Sequence, residues 1–390
     1  MTRSFTVRGV ILGHEHPSDI HVEDGRIVSI GPVGIAKADF GSRASIIGPT
    51  LFDIQVNGMA GINLQGRAVV PEDIGRISGH LAHGGVSHWV PTLITGSQED
   101  LEHGCRVIAV AMHDPKVARA VPGVHLEGPY ISAMDGPRGA HPRKHVRLPS
   151  VREFDRLLKA ADGRIAYVTV APELDGAIPF IKAVVKRGVV VSLGHHNGVA
   201  DDVARAVDAG ARMCTHLGNG LATQLKRHEN PLWPQLAEDR LVASLIADLA
   251  HLPAPVLKTF VRAKGCERVV LTSDCVHITG MKPGRYTLSG HDVELTRNGR
   301  ILLSGTELLA GSALMLLQGV VNAAQVTDMT LEQAYACATT IPAALLGLDA
   351  EFGPPEVGEK AEFVVFDIDK TKAQWKANVR GVFVDGVAHV

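Results

Sequence analysis

The feature that most constrains the fold is a repeated alternation of apolar runs and helix-like stretches through the middle of the chain. The runs are short and rich in β-branched residues, which favours strands: Ile46–Gln55, Ser87–Pro91, Val121–Leu126, Ile165–Val170, Val189–Leu193, Arg212–Thr215, Leu241–Ile246 and Val269–Thr272. Helix-like stretches separate most of them: Pro71–Ala82, Ser150–Ala161, Gly176–Arg187 and Ala200–Ala209. This alternation predicts parallel strands joined by right-handed crossovers. Eight such runs predict an α/β protein with a (β/α)8 TIM-like barrel, and the lack of GxGxxG after the first run disfavours an open doubly wound sheet.

The two ends of the chain differ from its centre. Short strands separated by turns occupy both of them: Ser4–Leu12, Asp19–Glu23, Arg26–Ile30, Ala361–Phe366 and Val382–Val384. Neither end offers a core of its own, so we expect one small β-sandwich domain built from both termini. We place it at residues 1–48 and 347–390, and the barrel at 49–346 with a β-hairpin insertion near 283–308. A chain of 390 residues is suitable for one large barrel with such a satellite.

The overall composition bears on partners and location. The chain carries 39 Lys and Arg against 41 Asp and Glu, a formal net charge of −2, so charge gives no reason to expect nucleic acid or an anionic membrane as a partner. No run approaches the roughly 18 apolar residues of a membrane span, and we see no signal peptide at the N-terminus. The five cysteines have no CxxC spacing, which favours reduced thiols and a cytoplasmic protein.

Residues with metal-binding and acid–base chemistry follow the ends of several apolar runs. Glu127 and His195 follow the third and fifth runs, His216 the sixth and Asp274 the eighth. In a parallel barrel these positions meet at one face, where one carboxylate and two imidazoles can hold a catalytic zinc and leave a position for water. Asp274 is then placed to exchange the proton of that water. Each residue alone has a structural alternative, as a helix cap or a buried hydrogen-bonding group, so their joint placement carries the prediction.

At these residues the sequence resembles the amidohydrolase superfamily, and within it the N-acetylglucosamine-6-phosphate deacetylases. The resemblance runs over nearly the whole chain and rests on motifs in the family's order: Glu23–Gly31, Asp53–Gly58, Pro91–Thr95, His125–Tyr130, Gly194-His195, Thr215–Leu217, Ile246–Asp248 with His251, Thr272–Asp274, Leu309–Ala313 and Gly358–Val365. It implies a cytoplasmic enzyme of amino sugar metabolism. The implied reaction is metal-dependent hydrolysis of the acetamide of N-acetylglucosamine 6-phosphate, or a close N-acetyl hexosamine phosphate, to the amino sugar phosphate and acetate.

The resemblance also implies a role for each residue that matches a family motif. Glu127, His195 and His216 match the metal ligands, and Asp274 matches the general acid and base. His251 matches a histidine that contacts the substrate and helps to polarise the acetyl carbonyl, which is the electrophilic assistance that an amide needs.

Further matches concern the sugar and its phosphate. His141 matches a histidine that contacts the sugar, and Asn219 and Gly220 match a pair whose backbone N–H groups meet the substrate. In dimers of the family, an arginine-bearing stretch reaches the phosphate in the neighbouring subunit, which implies a homodimer here. Arg227 is the candidate for that arginine because a guanidinium matches phosphate oxygens in a fork. The alternative is that Arg227 and Lys226 are an ordinary solvated pair.

The number of metals follows from the end of the first strand. Many amidohydrolases have His-x-His there and bind two metals, whereas this chain has Gln55-Val56-Asn57. Neutral amides are poor zinc ligands beside imidazole and carboxylate. We therefore predict one divalent metal per chain, with zinc as the first candidate and Fe2+, Co2+ or Mn2+ as alternatives, and Gln55 close behind the ligands.

Two other functions stay open. The loop around Arg227 departs from the family pattern, and Leu249 stands after Asp248 where a glycine is common. The first alternative is therefore a deacetylase of a non-phosphorylated N-acetyl sugar or another N-acyl amine. The second is a catalytically silent barrel that binds sugars, against which the complete set of metal ligands and Asp274 argues.

Overall fold

The computed structural model describes residues 4–288, 290–306, 309–348 and 352–389. In chain order its strands are β1 (Ser4–Ile11), β2 (Pro17–Glu23), β3 (Arg26–Pro32), β4 (Phe40–Pro49), β5 (Leu51–Val56), β6 (Gly58–Met59), β7 (Ile62–Asn63), β8 (Val86–Ile94), β9 (Val124–Glu127), β10 (Ile165–Val170), β11 (Val190–Leu193), β12 (Met213–Cys214), β13 (Val242–Ile246), β14 (Val269–Thr272), β15 (Gly284–Leu288), β16 (His291–Leu295), β17 (Ile301–Leu303), β18 (Phe363–Lys370), β19 (Trp375–Val384) and β20 (Val387–His389). Its α-helices are α1 (Pro71–His83), α2 (Gln98–Ala111), α3 (Pro115–Ala120), α4 (Val151–Ala160), α5 (Ala177–Val185), α6 (Ala200–Asp208), α7 (Leu232–Ala237), α8 (Ala254–Lys264), α9 (Leu316–Val326), α10 (Leu331–Ala336) and α11 (Thr340–Leu346).

The central sheet confirms the predicted TIM-like barrel. Eight strands lie in the order β5-β8-β9-β10-β11-β12-β13-β14, and each pair in that order is parallel. The two ends of the sheet meet where Val56 and Cys275 form a parallel bridge and the Asn57 N–H donates to the Cys275 carbonyl at 2.8 Å. The carboxyl ends of the strands therefore form one rim, which is where a TIM barrel carries its active site.

The first predicted strand was partly wrong. The run Ile46–Gln55 is divided at Thr50 between β4, which ends at Pro49, and β5, which begins at Leu51. Residues 46–49 pair with β18 of the terminal sheet, whereas β5 pairs with β8 of the barrel. An apolar run buried in two neighbouring cores has no change of hydrophobicity at the boundary, so the pattern alone did not show it.

The strands from both termini form a separate sheet, as predicted. Its order is β20-β19-β18-β4-β1-β2-β3, and its interior side chains form their own apolar cluster, which includes Val7, Ile20 and Phe363. The sheet curls so that β3 meets the segment before β18, where the Ile27 N–H donates to the Glu359 carbonyl at 2.9 Å. The exact domain boundaries stay a prediction, and residues 1–3, 349–351 and 390 within them lie outside the described residues.

A small antiparallel sheet follows the last barrel strand. It consists of β15, β16 and β17 and lies within the insertion expected near 283–308, of which residues 289, 307 and 308 lie outside the described part. Its apolar side chains pack with Val276 and Ile278, so the insertion is held beside the rim of the barrel. No helix among the described residues is long and apolar enough to cross a bilayer.

Helix α2 was not predicted from the sequence although it has a regular start. The Ser97 side chain accepts from the Asp100 N–H, which is a common N-cap arrangement. The helix then places Gly104 against β8, where an added Cβ would lie 2.8 Å from a methyl group of Leu93. The close approach favours a glycine at this position. A glycine in mid-helix destabilises the helix by about 1 kcal/mol relative to alanine, so the sequence pattern gives only a weak indication of a helix here.

Candidate metal centre and active site

Four predicted site residues lie at the carboxyl ends of different barrel strands. Glu127 is the last residue of β9, and His195 and His216 come two residues after the last residues of β11 and β12. Asp274 stands in the same position after β14. Because all four strands run in one direction, these side chains meet at one rim of the barrel.

Three of these residues direct their ligand atoms to one point. Glu127 Oε1 lies 3.1 Å from His195 Nε2 and 2.8 Å from His216 Nε2, and the two nitrogens are 3.0 Å apart. All three residues are buried. Ligands at about 2.0–2.1 Å from a tetrahedral zinc are separated by roughly 3.3 Å, so the arrangement is close to that of a metal centre.

Hydrogen bonding alone leaves a buried atom of this cluster without a partner. His195 Nδ1 lies 2.9 Å from the carbonyl oxygen of Pro137, which can only accept, so that nitrogen carries the ring proton. Nε2 of His195 then presents a lone pair to the lone pairs of Glu127 Oε1. Nε2 of His216 is the third atom of the set and can either donate a proton to Glu127 or present a lone pair, while Nδ1 of His216 is buried without a hydrogen-bond partner. A divalent cation satisfies all three facing atoms at once, and the donor set of two imidazoles and one carboxylate is typical of catalytic zinc.

A second group of possible ligands overlaps the first. The ligand atoms of Glu127, His141 and His195 lie within 4.8 Å of one another. His141 is less close than His216, and its Nδ1 is already 2.8 Å from the hydroxyl of Thr95. Burial, with the neighbouring His195, lowers the pKa of His141 to about 3, so the ring is neutral. We therefore favour His216 as the third ligand and His141 as a neighbour that faces the cavity.

Asp274 is held by two amide groups from the end of β5. Its Oδ1 accepts from Gln55 Nε2 at 2.9 Å and from Asn57 Nδ2 at 2.7 Å. Burial, followed by the nearby charge of Glu127, raises the pKa of Asp274 to about 7. A carboxyl group with a pKa near neutrality can both take and return a proton, which is what a general acid and base requires.

Gln55 connects Asp274 to Glu127. The same Nε2 that donates to Asp274 also lies 3.1 Å from Glu127 Oε1. Since Nε2 carries hydrogens and no lone pair, it cannot bind a second cation at this place. Gln55 lies beneath the cavity and does not line it.

His251 is oriented by the carboxylate of Asp248, to which the sequence assigned no role. Its Nδ1 lies 2.7 Å from Asp248 Oδ2, and Oδ1 of Asp248 accepts from the backbone N–H groups of Ala250 and His251 at 2.9 and 2.7 Å. Burial raises the pKa of Asp248, but the interactions with the His251 ring and the two backbone N–H groups together outweigh it, so the pKa lies below its usual value. The ionised carboxylate therefore fixes the orientation of the imidazole, which suits electrophilic assistance.

These side chains surround a cavity of about 330 Å³. Every sequence-predicted site residue lines it except Gln55 and Arg227. Arg227 is exposed, and its carbonyl oxygen accepts from Trp233 Nε1 at 2.9 Å. Within the described residues, no Lys or Arg lines the cavity.

Several groups in and around this cavity were not predicted from the sequence. Asn57, Asn63 and His277 add polar surface to its wall. Asn57 could have been found, because it follows Gln55 by two residues and side chains at that spacing share one face of a strand. The sequence around Asn63 and His277 shows no comparable spacing to a predicted site residue. Asn63 lies in β7 and His277 lies after β14, and only the tertiary fold brings them to the cavity.

The backbone is strained at the strand ends that carry the site. His195, His216 and Asp274 have φ angles of 52°, 29° and 49°, and Leu249 has 61°. Residues with a Cβ seldom adopt this region, at a cost of about 1–3 kcal/mol each. Such strain persists where the surrounding structure holds the residue in place, and it concentrates at functional sites.

Comparison with known proteins identifies the family. The model of the amidohydrolase family matches residues 46–388 of the chain. The chain belongs to the amidohydrolase family. The predicted resemblance is thereby confirmed, and the family is one of metal-dependent enzymes.

Relatives of this amidohydrolase carry consistent names. N-acetylgalactosamine-6-phosphate deacetylase of Escherichia coli O157:H7 is 30% identical over 366 residues, which cover 94% of this chain and 93% of that protein. N-acetylglucosamine-6-phosphate deacetylase of Homo sapiens is 32% identical over 361 residues, covering 90% and 85%. The structure of N-acetyl-D-glucosamine-6-phosphate deacetylase from Mycobacterium smegmatis, a variant in complex with N-acetyl-D-glucosamine-6-phosphate, matches with a TM-score of 0.84 at 28% identity and covers 99% of both chains.

Proposed function

We propose that this amidohydrolase removes the acetyl group from an N-acetyl hexosamine 6-phosphate, with N-acetylglucosamine 6-phosphate as the first candidate. The products are the amino sugar phosphate and acetate. The observation that carries the proposal is the convergence of Glu127, His195 and His216 beside Asp274 in a single cavity. The names of the relatives from Escherichia coli and Homo sapiens support the substrate class. Membership of this family favours an enzyme over a silent sugar-binding barrel.

One divalent metal, with zinc as the first candidate, would be held by Glu127, His195 and His216. When bound, it would act as a Lewis acid that makes water more acidic and polarises the acetyl carbonyl. The N–H groups of Gln55 and Asn57 occupy the place where a second cation would need lone pairs, which supports a single metal. Fe2+, Co2+ and Mn2+ remain the alternatives to zinc.

Asp274 carries the proton in this reaction. Its Oδ1 is occupied by Gln55 and Asn57, so Oδ2 is the atom that takes a proton from the attacking water. The same oxygen returns that proton to the amine nitrogen as the C–N bond breaks, and acetate and the amino sugar leave. His251, held by Asp248, donates to the acetyl oxygen as negative charge develops on it.

The sugar and its phosphate would be bound by groups around the mouth of the cavity. His141, Asn219 and Gly220 line it and would contact the sugar. Arg227 is exposed in the single chain, and in a homodimer it would reach the phosphate in a second copy. The homodimer and a cytoplasmic location stay part of the proposal.

The lack of Lys and Arg among the described residues of the cavity wall favours one other candidate function. A substrate without phosphate, such as a free N-acetyl sugar or another N-acyl amine, needs no cation there. The two candidates share the hydrolytic groups and differ only in the recognition of phosphate.

The test is a screen for acetate release. N-acetylglucosamine, N-acetylgalactosamine and N-acetylmannosamine are each assayed with and without the 6-phosphate, with the zinc-loaded protein. We expect the highest kcat/KM for a 6-phosphate, and a higher value for the free sugar would favour the second candidate. If no substrate releases acetate while the protein holds zinc, both candidates are wrong.

A further inference from the structure

A row of buried hydrogen-bonding side chains crosses the barrel one layer beneath the metal ligands. We call it the hydroxyl belt, and it consists of Thr92, His125, Thr169, Thr215 and Ser192. Its contacts are Thr92 Oγ1 to His125 Nδ1 at 3.1 Å, His125 Nε2 to Thr169 Oγ1 at 2.8 Å, Thr169 Oγ1 to Thr215 Oγ1 at 2.7 Å, and Thr215 Oγ1 to Ser192 Oγ at 2.6 Å. All five residues are at most 2% exposed. The belt has no part in the proton transfers proposed above.

The hydrogens of the belt can be assigned a direction. Among the described residues, the Ser192 hydroxyl has no partner other than Thr215. Its hydrogen therefore has an acceptor only if Ser192 donates to Thr215, and this choice sets the direction of every later hydrogen bond in the belt. In this direction each hydroxyl donates to the next, and His125 accepts at Nε2 and donates from Nδ1. The last hydroxyl, Thr92, then donates to the carbonyl of Val90 over a long contact of 3.5 Å. The opposite direction leaves a buried hydroxyl hydrogen without an acceptor, which is unfavourable.

The belt joins the strands that carry the three metal ligands. His125 stands two residues before Glu127 on β9, Ser192 three before His195, and Thr215 directly before His216. Strands β9 and β11 are not neighbours, since β10 lies between them, and the belt crosses β10 at Thr169. The His125 ring is also stacked on Tyr167 with centroids 3.8 Å apart.

The ligands need support of this kind. His195 and His216 are both held at strained positive φ angles, which the chain keeps only if neighbouring contacts fix the strand ends. From these contacts we infer that the hydroxyl belt is a positioning device that sets the separation of Glu127, His195 and His216 and so slows the release of the metal. Belt residues do not touch the metal or the substrate. The inference rests on the proposed metal centre and not on the proposed substrate.

The experiment cuts the belt at its centre and measures zinc release. Thr169→Val replaces the hydroxyl by a methyl group of similar size and leaves His125 Nε2 and Thr215 without their shared partner. Zinc-loaded protein is mixed with an excess of a chelator whose colour reports the metal. We expect release at least about 10-fold faster than in the wild type, which is the low end of the 10–100-fold in affinity that direct partners of metal ligands typically supply, because the belt acts on the ligands only through their strands. Thr169→Ser restores the hydroxyl, and we expect release within about threefold of the wild type.

A matched control separates positioning from loss of stability. Thr339 is equally buried, and its hydroxyl donates to the Tyr335 carbonyl at 2.8 Å, outside the belt. Thr339→Val should lower the thermal stability by a similar amount and leave zinc release unchanged. The visible spectrum of the Co2+-loaded protein, which reports ligand geometry, should change in Thr169→Val and not in Thr339→Val.

The outcomes separate this inference from the proposals on which it depends. If Thr169→Val and Thr339→Val release zinc at the same rate, the belt contributes to packing only and the inference is wrong. Ser192→Ala cuts the belt at its end and takes the place of Thr169→Val in this comparison if that variant does not fold. A wild-type protein that binds no zinc would overturn both the metal centre and the belt. Acetate release is not used, so an error in the proposed substrate leaves the result intact.

Discussion

Replacement of Asp274 by asparagine should have opposite effects on activity and on stability. The hydrogen bonds from Gln55 and Asn57 to Oδ1 can be kept by the new amide oxygen, so we expect the fold to be unchanged. The proton carrier is lost, and kcat should fall by at least about 10²-fold. In the metal-free protein, however, removal of a buried negative charge should make the folded state more stable.

The magnitude follows from the raised pKa of Asp274. Burial and the charge of Glu127 raise this pKa to about 7 in the folded, metal-free protein, whereas the unfolded chain releases the proton near pH 4. Between these values the folded state binds more protons, so its stability falls as pH rises. Three pH units at about 1.36 kcal/mol each give an upper limit of about 4 kcal/mol. Asp274 is partly open to the cavity, and screening by solvent reduces the expected effect to about 2 kcal/mol.

The assay is urea unfolding, at pH 5 and at pH 8, of protein from which a chelator has removed the metal. The free energy of unfolding of the wild type should drop between the two values by about 1–3 kcal/mol more than that of Asp274→Asn. The exposed Asp175 provides a control, because Asp175→Asn makes the same change in net charge without burial. In zinc-loaded protein the difference should shrink, since a cation beside Asp274 favours its ionised form.

Two results would refute this reasoning. If chelated wild type and Asp274→Asn show the same pH dependence, the pKa of this carboxyl is not raised in the folded state. If Asp274→Asn keeps near-normal kcat while its stability behaves as expected, the residue is buried and charged but does not carry the proton.

Three further predictions concern the phosphate, the metal and the strained loop. Arg227→Ala should raise KM for a 6-phosphate about 10-fold or more and leave the free sugar unchanged, and equal effects on both would exclude a phosphate contact. Elemental analysis of anaerobically purified protein should find one metal per chain, because Gln55 presents N–H groups at the second position, and two tightly bound metals would contradict this. Leu249→Gly should be more stable than Leu249→Ala by about 1 kcal/mol, since only glycine relieves the φ angle of 61°, and thermal unfolding of the pair tests it.

The sequence predicted those site residues whose metal-binding or acid–base side chains directly follow predicted strands. Glu127, His195, His216 and Asp274 could be placed on one rim because each follows a run of apolar residues, and parallel strands share their carboxyl ends. The positive φ angles of the last three could not be predicted, because the residue types favour ordinary backbone and only the packing of the barrel imposes the strain.

Contacts between distant parts of the chain were beyond sequence reasoning for a different reason. The hydrogen bond from Gln55 to Asp274 joins residues that are 219 positions apart, and it exists because β5 and β14, the first and last strands, close the barrel. The exposed position of Arg227 likewise depends on the path of the loop after β12, for which the sequence offers only a pair of basic residues.

The closing strand β5 accounts for both the proposed single metal and the proposed acid–base role of Asp274. Gln55 directs one nitrogen at both Glu127 and Asp274. A residue with a lone pair at that position would attract a second cation, and that cation would lower the pKa of Asp274 and hold its oxygen as a ligand. An amide N–H has the opposite effect, since it excludes the cation and leaves one oxygen of Asp274 free to move protons. In the proposed mechanism, the glutamine at the end of β5 therefore couples the number of metals to the availability of Asp274 as a general base.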